Sequence, residues 1–161
     1  MSASVIRPIE QRDNPVIARI VRDTLKEFGA NHPGTVYYDA STDSLYELFR
    51  QSGSCYFIVE ENDMVLGGAG LFPTEGLPDN TCELVKMYLL PEGRGKGTGK
   101  KLIQHCLVTA KEMGYEKVYL ETMPELTNAL GLYEKTGFRY LEAPLGNSGH
   151  FGCSHWMIRD L

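Results

Sequence analysis

The sequence contains no run approaching the roughly 20 apolar residues that a helix needs to cross a bilayer. Its first fifteen residues turn charged before any apolar stretch reaches the length of a signal peptide. These two features predict a cytoplasmic protein that has no membrane partner.

Cysteine is sparse, and its spacing is poor for a disulfide framework. The four cysteines are far apart and form no CxxC pair: Cys55, Cys82, Cys106 and Cys153. Three of them fall in predicted core elements, which favours reduced, buried thiols. The spacing of His150, Cys153 and His155 could suit zinc, but no fourth ligand is evident nearby, so we expect no metal.

Positive charge is also in deficit, since the 161 residues carry a net charge of −5. A nucleic-acid-binding protein usually has a basic surface, so we expect no nucleic-acid partner. No linker, repeat or low-complexity tract divides the chain. Its length and its hydrophobic content of 42% predict a single domain that spans residues 1–161.

Apolar periodicity predicts the element order β-α-α-β-β-β-α-β-α-β-β. The predicted strands cover residues 4–8, 55–60, 64–73, 81–90, 117–121, 138–140 and 153–160. This order indicates an α+β fold with a mixed, mostly antiparallel sheet, flanking helices and a parallel crossover within residues 81–121. Gly67, Gly68 and Gly70 interrupt one strand, which indicates that another group approaches its backbone closely.

A basic, glycine-rich loop at residues 91–99 lies between the longest predicted strand and the next helix. Its glycines allow a ligand to approach the backbone, and the first amides of a helix attract anions. Four cations follow one another closely here: Arg94, Lys96, Lys100 and Lys101. The loop therefore predicts a pyrophosphate site, and the structural alternative is a flexible surface turn with solvated lysines.

The spacing of this loop excludes two common phosphate motifs. A Walker loop would need glycine where Arg94 stands and Ser or Thr where Lys101 stands. A dinucleotide fingerprint that begins at Gly95 would need its last glycine where Lys100 stands.

Residues 94–99 have the sequence RGKGTG, which does fit the pattern Q/R-x-x-G-x-G/A. Residues 83–89 resemble the strand that precedes this pattern in the GNAT superfamily, and residues 129–138 resemble that family's A-xxx-Y-E-K-x-G-F segment. The chain thus resembles the acetyl-CoA-dependent N-acetyltransferases, most strongly over residues 81–140. The resemblance implies direct transfer of an acetyl group from acetyl-CoA to a primary amine of a small molecule or a peptide.

The same resemblance implies where acetyl-CoA binds. The main chain of Met87 and Leu89 would hold the pantetheine arm where two strands splay apart, with a bulge near Met87. Many family members have an asparagine where this chain has Leu126, and Asn128 is the candidate replacement. The complete expected set is Met87, Tyr88, Leu89, Arg94, Gly95, Lys96, Gly97, Thr98, Gly99, Lys100, Asn128 and Lys135.

Two residues match positions that are catalytic in the family. Tyr133 would donate a proton to the leaving thiolate, and its structural alternative is a ring packed in the core. Glu83 would be the general base, and its alternative is a glutamate at the sheet edge. Strand alternation puts Glu83 on one face with Val85, Met87 and Leu89, and these apolar neighbours would raise its pKa.

The acceptor side is less specific. The aromatic loop with His32, Tyr37 and Tyr38 and the glycine-rich segment with His150 are its candidates, and the alternatives are an ordinary loop and a plain hairpin. We expect a monomer or a homodimer. Two rival functions are transfer of another acyl group and a non-catalytic acyl-CoA-binding module.

Overall fold

Seven strands form one sheet in the computed structural model, which describes residues 4–161. The strands are β1 (Val5–Pro8), β2 (Cys55–Glu61), β3 (Met64–Phe72), β4 (Thr81–Leu89), β5 (Lys117–Thr122), β6 (Arg139–Leu141) and β7 (His155–Asp160). Their order across the sheet is β1-β2-β3-β4-β5-β7-β6. β4 and β5 pair in parallel, and the other neighbours pair antiparallel, which confirms the predicted α+β fold.

Four helices flank the sheet. They are α1 (Asn14–Glu27), α2 (Leu45–Leu48), α3 (Thr98–Glu112) and α4 (Thr127–Lys135). α1 begins where the Asn-Pro pair predicts, and Gly29 follows it with a left-handed φ of 67°. α2 has only four residues, because a 3₁₀ helix at Ala40–Ser44 occupies the chain before it.

The two faces of the sheet support separate hydrophobic clusters. On one face, α3 contributes Leu102 and Ile103, which pack with Val118 of β5. On the other face, α1 contributes Ile17 and Val21. Burial of both faces explains why strand residues alternate between the two clusters.

The parallel pair β4 and β5 is short. Its register runs from Thr81 opposite Lys117 to Glu83 opposite Tyr119 and continues no further. Beyond Glu83, β4 stays paired with β3, while β5 stays paired with β7. The two strands therefore diverge, and the opening between them begins at Glu83.

A β-bulge interrupts β4 just after this point. Val85 lies opposite Gly70 and Tyr88 lies opposite Gly68, so two residues of β4 face a single residue of β3. Lys86, inside the bulge, has a φ of 51°, which is rare for a residue other than glycine. The bulge predicted near Met87 is therefore present.

The bulge also corrects the predicted alternation of β4. Glu83 and Val85 are two residues apart, and Val85 packs with the α1 cluster. Met87 and Leu89 pack instead with the α3 cluster. The prediction that Glu83 shares a face with Met87 and Leu89 was wrong, because the extra residue reverses the alternation after Val85.

The glycines of β3 allow Tyr56 to support this bulge. A Cβ atom at Gly68 or Gly70 would lie 2.6 Å from the Tyr56 ring, so only glycine leaves room for that ring. The buried Tyr56 hydroxyl then donates a hydrogen bond of 2.7 Å to the carbonyl oxygen of Lys86. The close approach predicted from the glycines is that of a tyrosine side chain.

All four cysteines are free, and Cys82 and Cys106 are buried. Within residues 4–161, no group of three or more His, Cys, Asp or Glu side chains is arranged to hold a metal ion. No helix in the same range combines the length and the apolar character needed to cross a membrane.

Tyr56→Phe should lower the free energy of unfolding by about 1–3 kcal/mol, because it leaves a buried carbonyl oxygen without its donor. Urea unfolding measures this change. Tyr38→Phe is the matched control, since Tyr38 is 62% exposed, and it should change stability by less than about 0.5 kcal/mol. Equal effects of the two substitutions would contradict the role of Tyr56.

Candidate active site

A cleft of about 770 Å³ opens where β4 and β5 diverge. Residues 83–89 of β4 form one wall, and residues 121–123 lie at the end of β5. α4 contributes a further wall, and the glycine-rich loop closes one end. The cleft thus joins the predicted cofactor loop to both predicted catalytic residues, since Glu83 and Tyr133 both line it.

The glycine-rich loop brings the N-terminus of α3 to the cleft. Gly97 precedes the helix with a left-handed φ of 82°, and Gly95, Gly99 and Lys100 line the cleft with it. The first hydrogen bond of the helix runs from the Lys101 amide to the Gly97 carbonyl oxygen at 3.1 Å. The amides at residues 98–100 therefore have no acceptor within the helix, and they form an anion site with the helix dipole.

Acidic residues hold two cations of this loop. Arg94 lines the cleft and donates to both carboxylate oxygens of Glu27, at 2.8 and 2.9 Å. Lys96 lies 3.0 Å from Glu61 at the end of β2. Lys96 and Thr98, unlike the other predicted loop residues, do not line the cleft.

The remaining predicted cofactor residues all line the cleft: Met87, Tyr88, Leu89, Asn128 and Lys135. Sequence reasoning missed Thr122, whose hydroxyl is buried without a hydrogen-bond partner among the described residues. No motif marks Thr122, because its exposure to the cleft depends on the divergence of β5 from β4.

Tyr133 lies in α4 and is buried against Phe138, with their ring centroids 5.9 Å apart. Burial raises the pKa of Tyr133 well above its usual value, so the phenol stays protonated at neutral pH. The residue therefore packs in the core and also presents a proton donor to the cleft.

Glu83 is 3% exposed, which excludes the alternative of a solvent-facing glutamate. Burial raises its pKa to about 7, although Thr74 donates a 2.6 Å hydrogen bond to the carboxylate and opposes this shift. The nearby Glu121 raises the pKa further. A carboxylate with a pKa near 7 can accept a proton at physiological pH.

Only one of the four expected acceptor residues lines the cleft. His150 does so, with its Nε2 2.6 Å from Oδ2 of Asp39. His32 lies against Glu125 instead, at 3.1 Å, and is not among the lining residues. Tyr37 and Tyr38 also lie outside the lining.

Sequence reasoning also missed two charged side chains of the cleft, Lys86 and Glu121. Lys86 is buried and forms an ion pair with Asp39 at 3.8 Å. Glu121 accepts hydrogen bonds from the hydroxyls of Tyr119, at 2.7 Å, and Ser148. Alternation along β5 could have identified Glu121, because it lies two residues beyond Tyr119, the partner of Glu83 in the sheet.

Comparison with known families gives an independent assignment. The model of the acetyltransferase (GNAT) family matches residues 17–138. This range includes the glycine-rich loop, both strands that diverge and α4.

Individual proteins show the same similarity over nearly the whole chain. The uncharacterised N-acetyltransferase YjgM of Escherichia coli is 41% identical over 158 residues, which cover 98% of this chain and 95% of that protein. A GNAT-family acetyltransferase from Staphylococcus aureus superposes with a TM-score of 0.83 at 20% identity, covering 99% of each chain. The yncA protein of Salmonella typhimurium, solved with its cofactor acetyl-CoA, has a TM-score of 0.77 at 22% identity, covering 99% of this chain and 95% of that one.

Gly97→Val should weaken the binding of CoA about tenfold or more, because a branched side chain at a φ of 82° displaces the amides of the anion site. Isothermal titration with CoA measures the affinity. Gly114→Val is the matched control: Gly114 has a φ of 93° at the other end of α3, and an added Cβ at either glycine meets no atom within 4 Å. The site is misplaced if both variants bind CoA equally.

Proposed function

Because this chain belongs to the GNAT acetyltransferase family, we propose that its cleft catalyses direct attack of a primary amine on the thioester of acetyl-CoA. The amine belongs to a small molecule or a peptide. One observation carries the mechanism: two buried groups, Glu83, which can be ionised near pH 7, and Tyr133, which is protonated there, line the same cleft as the anion site.

The residues of the cleft fit acetyl-CoA, which supplies the acetyl group when bound. The amides at residues 98–100 would hold its pyrophosphate, with Lys100 beside them. The main chain of Met87 and Leu89, beyond the last paired residue of β4 and β5, would bind the pantetheine amides. Asn128 adds a polar side chain along the same path.

The acceptor must lose a proton before it can attack. Alkylamines are protonated at neutral pH, since their pKa is close to the value of about 10.4 for lysine. Glu83 takes this proton, directly or through a water molecule, because its pKa of about 7 leaves a useful fraction of the carboxylate ionised at pH 7.

The leaving thiolate must gain a proton. Tyr133 is protonated, buried and at the cleft surface, which suits it to donate its hydroxyl proton to sulfur. A buried donor acts in a medium of low dielectric constant, where its hydrogen bond to a developing negative charge is strong.

A non-catalytic acyl-CoA-binding module is the second candidate function. Such a module would need the anion site but neither a proton acceptor nor a proton donor, so Glu83 and Tyr133 favour the enzyme. Thiol release from acetyl-CoA over a panel of amines separates the two. Binding of acetyl-CoA with no release of CoA in the presence of any amine of the panel would support the module.

Four free thiols suit a reducing compartment, and we therefore propose that the enzyme is cytoplasmic. We also propose that it is a monomer or a homodimer.

Tyr133→Phe should lower kcat by about 10²- to 10⁴-fold with little change in the affinity for CoA, because the hydroxyl acts on the leaving group. Steady-state kinetics and titration with CoA give the two quantities. Tyr140→Phe, at an exposed tyrosine, should behave as the wild type. A Tyr133→Phe enzyme with wild-type kcat would remove this residue from the mechanism.

Glu83→Gln should remove the inflection near pH 7 from the dependence of activity on pH. Glu83 accepts a proton only when it is ionised, so wild-type activity falls as pH drops through its pKa of about 7. The glutamine enzyme should instead be slow at neutral pH and recover at high pH, where free amine is abundant. The measurement is kcat/KM against pH with one confirmed acceptor. Glu142→Gln, at an exposed position, serves as the control, and identical profiles for Glu83→Gln and wild type would place the base elsewhere.

A further inference from the structure

We infer that the acceptor amine also bears a carboxylate, which Lys86 binds, so that the substrate is an amino acid or a small amino-acid derivative. This inference rests on the proposed acetyltransferase activity and names the acceptor of that same cleft. Its basis is that one buried lysine lines the same cleft as two carboxylates, Glu83 and Glu121, whose hydrogen bonds within residues 4–161 come from hydroxyl groups.

The backbone places Lys86 in the cleft at an energetic cost. A residue other than glycine with a φ of 51° pays about 1 kcal/mol or more of steric strain, and such strain concentrates at functional sites. The bulge and the Tyr56 hydrogen bond hold this conformation. The side chain is 6% exposed and lines the cleft on the acceptor side, where it contacts Asp39.

Asp39 does not use up the hydrogen-bonding capacity of Lys86. The Nζ of Lys86 lies 3.8 Å from Oδ2 of Asp39, which is longer than a hydrogen bond. The same oxygen lies only 2.6 Å from Nε2 of His150, so His150 is its nearer partner. An ammonium group has three donors, and a buried ammonium requires an anion close by. Asp39 is such an anion, and a substrate carboxylate would accept the hydrogen bonds that Asp39, at 3.8 Å, does not accept.

Two carboxylates line the same cleft as Lys86. Glu83 and Glu121 come from the two diverging strands, line the same cleft and interact electrostatically with each other. Thr74 donates to Glu83, while Tyr119 and Ser148 donate to Glu121.

These donors are neutral hydroxyls, so they do not cancel the negative charge that an ionised carboxylate offers to a substrate ammonium. A cation next to a carboxylate pair complements a zwitterion, whereas Lys86 repels an acceptor that carries only positive charge.

The alternative role of Lys86 is that of a counter-ion for Asp39 alone. In that case the cleft would not distinguish an amino acid from its amide, because neither the charge of Lys86 nor its donors would meet the substrate. The two roles therefore predict different selectivity in the wild-type enzyme, before any residue is changed.

The experiment compares each of the common L-amino acids with its amide and with the corresponding decarboxylated amine, by CoA release. We expect turnover of one or more amino acids, with kcat/KM about 10- to 100-fold higher than for the paired amide, as one charge-assisted hydrogen bond allows. The amino group of the amide is less basic than that of the amino acid, so a larger fraction of it is unprotonated and able to attack. A preference of the enzyme for the acid therefore reports binding of the carboxylate.

Lys86→Met should remove that preference mainly through a higher KM for the acid, and Lys86→Arg should retain part of it. Unchanged affinity for CoA and an unchanged unfolding temperature show that each variant is folded. A preference for the acid that survives in Lys86→Met overturns the role of this residue.

Equal or faster turnover of the amides and decarboxylated amines by the wild type overturns the inference, and it leaves the proposed acetyltransferase activity standing. Absence of turnover with every compound overturns the inference, and absence of turnover with a further panel of peptide amines contradicts the acetyltransferase activity as well.

Discussion

The bulge in β4 is the constraint on which the rest of the cleft depends. One extra residue reverses the alternation of the strand, so Val85 packs with the α1 cluster and Met87, two residues further along, packs with the α3 cluster. The acceptor side and the cofactor side of the cleft are thereby formed by a single strand. The glycines of β3 and the Tyr56 hydroxyl stabilise the bulge from the opposite side of that strand.

Divergence of β4 and β5 complements the bulge. Pairing between β4 and β5 ends at Glu83, and the two strands separate beyond it. The core stays covered, because α3 and α4 pack on one face of the sheet and α1 packs on the other. Main-chain groups that would otherwise form a parallel ladder become available to a ligand. Glu83 lies at the point where the opening begins.

Electrostatics divide the cleft into two halves. The anion site joins the N-terminus of α3 to cations of the loop, and Glu27 and Glu61 hold Arg94 and Lys96 there. The other half contains carboxylates and Lys86, with Glu83 kept partly protonated near neutral pH by burial. The net charge of −5 reveals neither half.

Local pattern alone determined the element order, the anion loop and the candidates Glu83 and Tyr133, because turn residues, apolar periodicity and a contiguous motif are properties of short segments. Tertiary structure alone decided which side chains share the cleft. Lys86 and Thr122 carry no sequence signal, since their placement follows from a bulge and from strands that diverge. Likewise, only one of the two histidines expected on the acceptor side lines the cleft: hydrogen bonds from distant segments place His32 against Glu125 and His150 against Asp39. Such contacts join residues far apart in the chain, and no short segment encodes them.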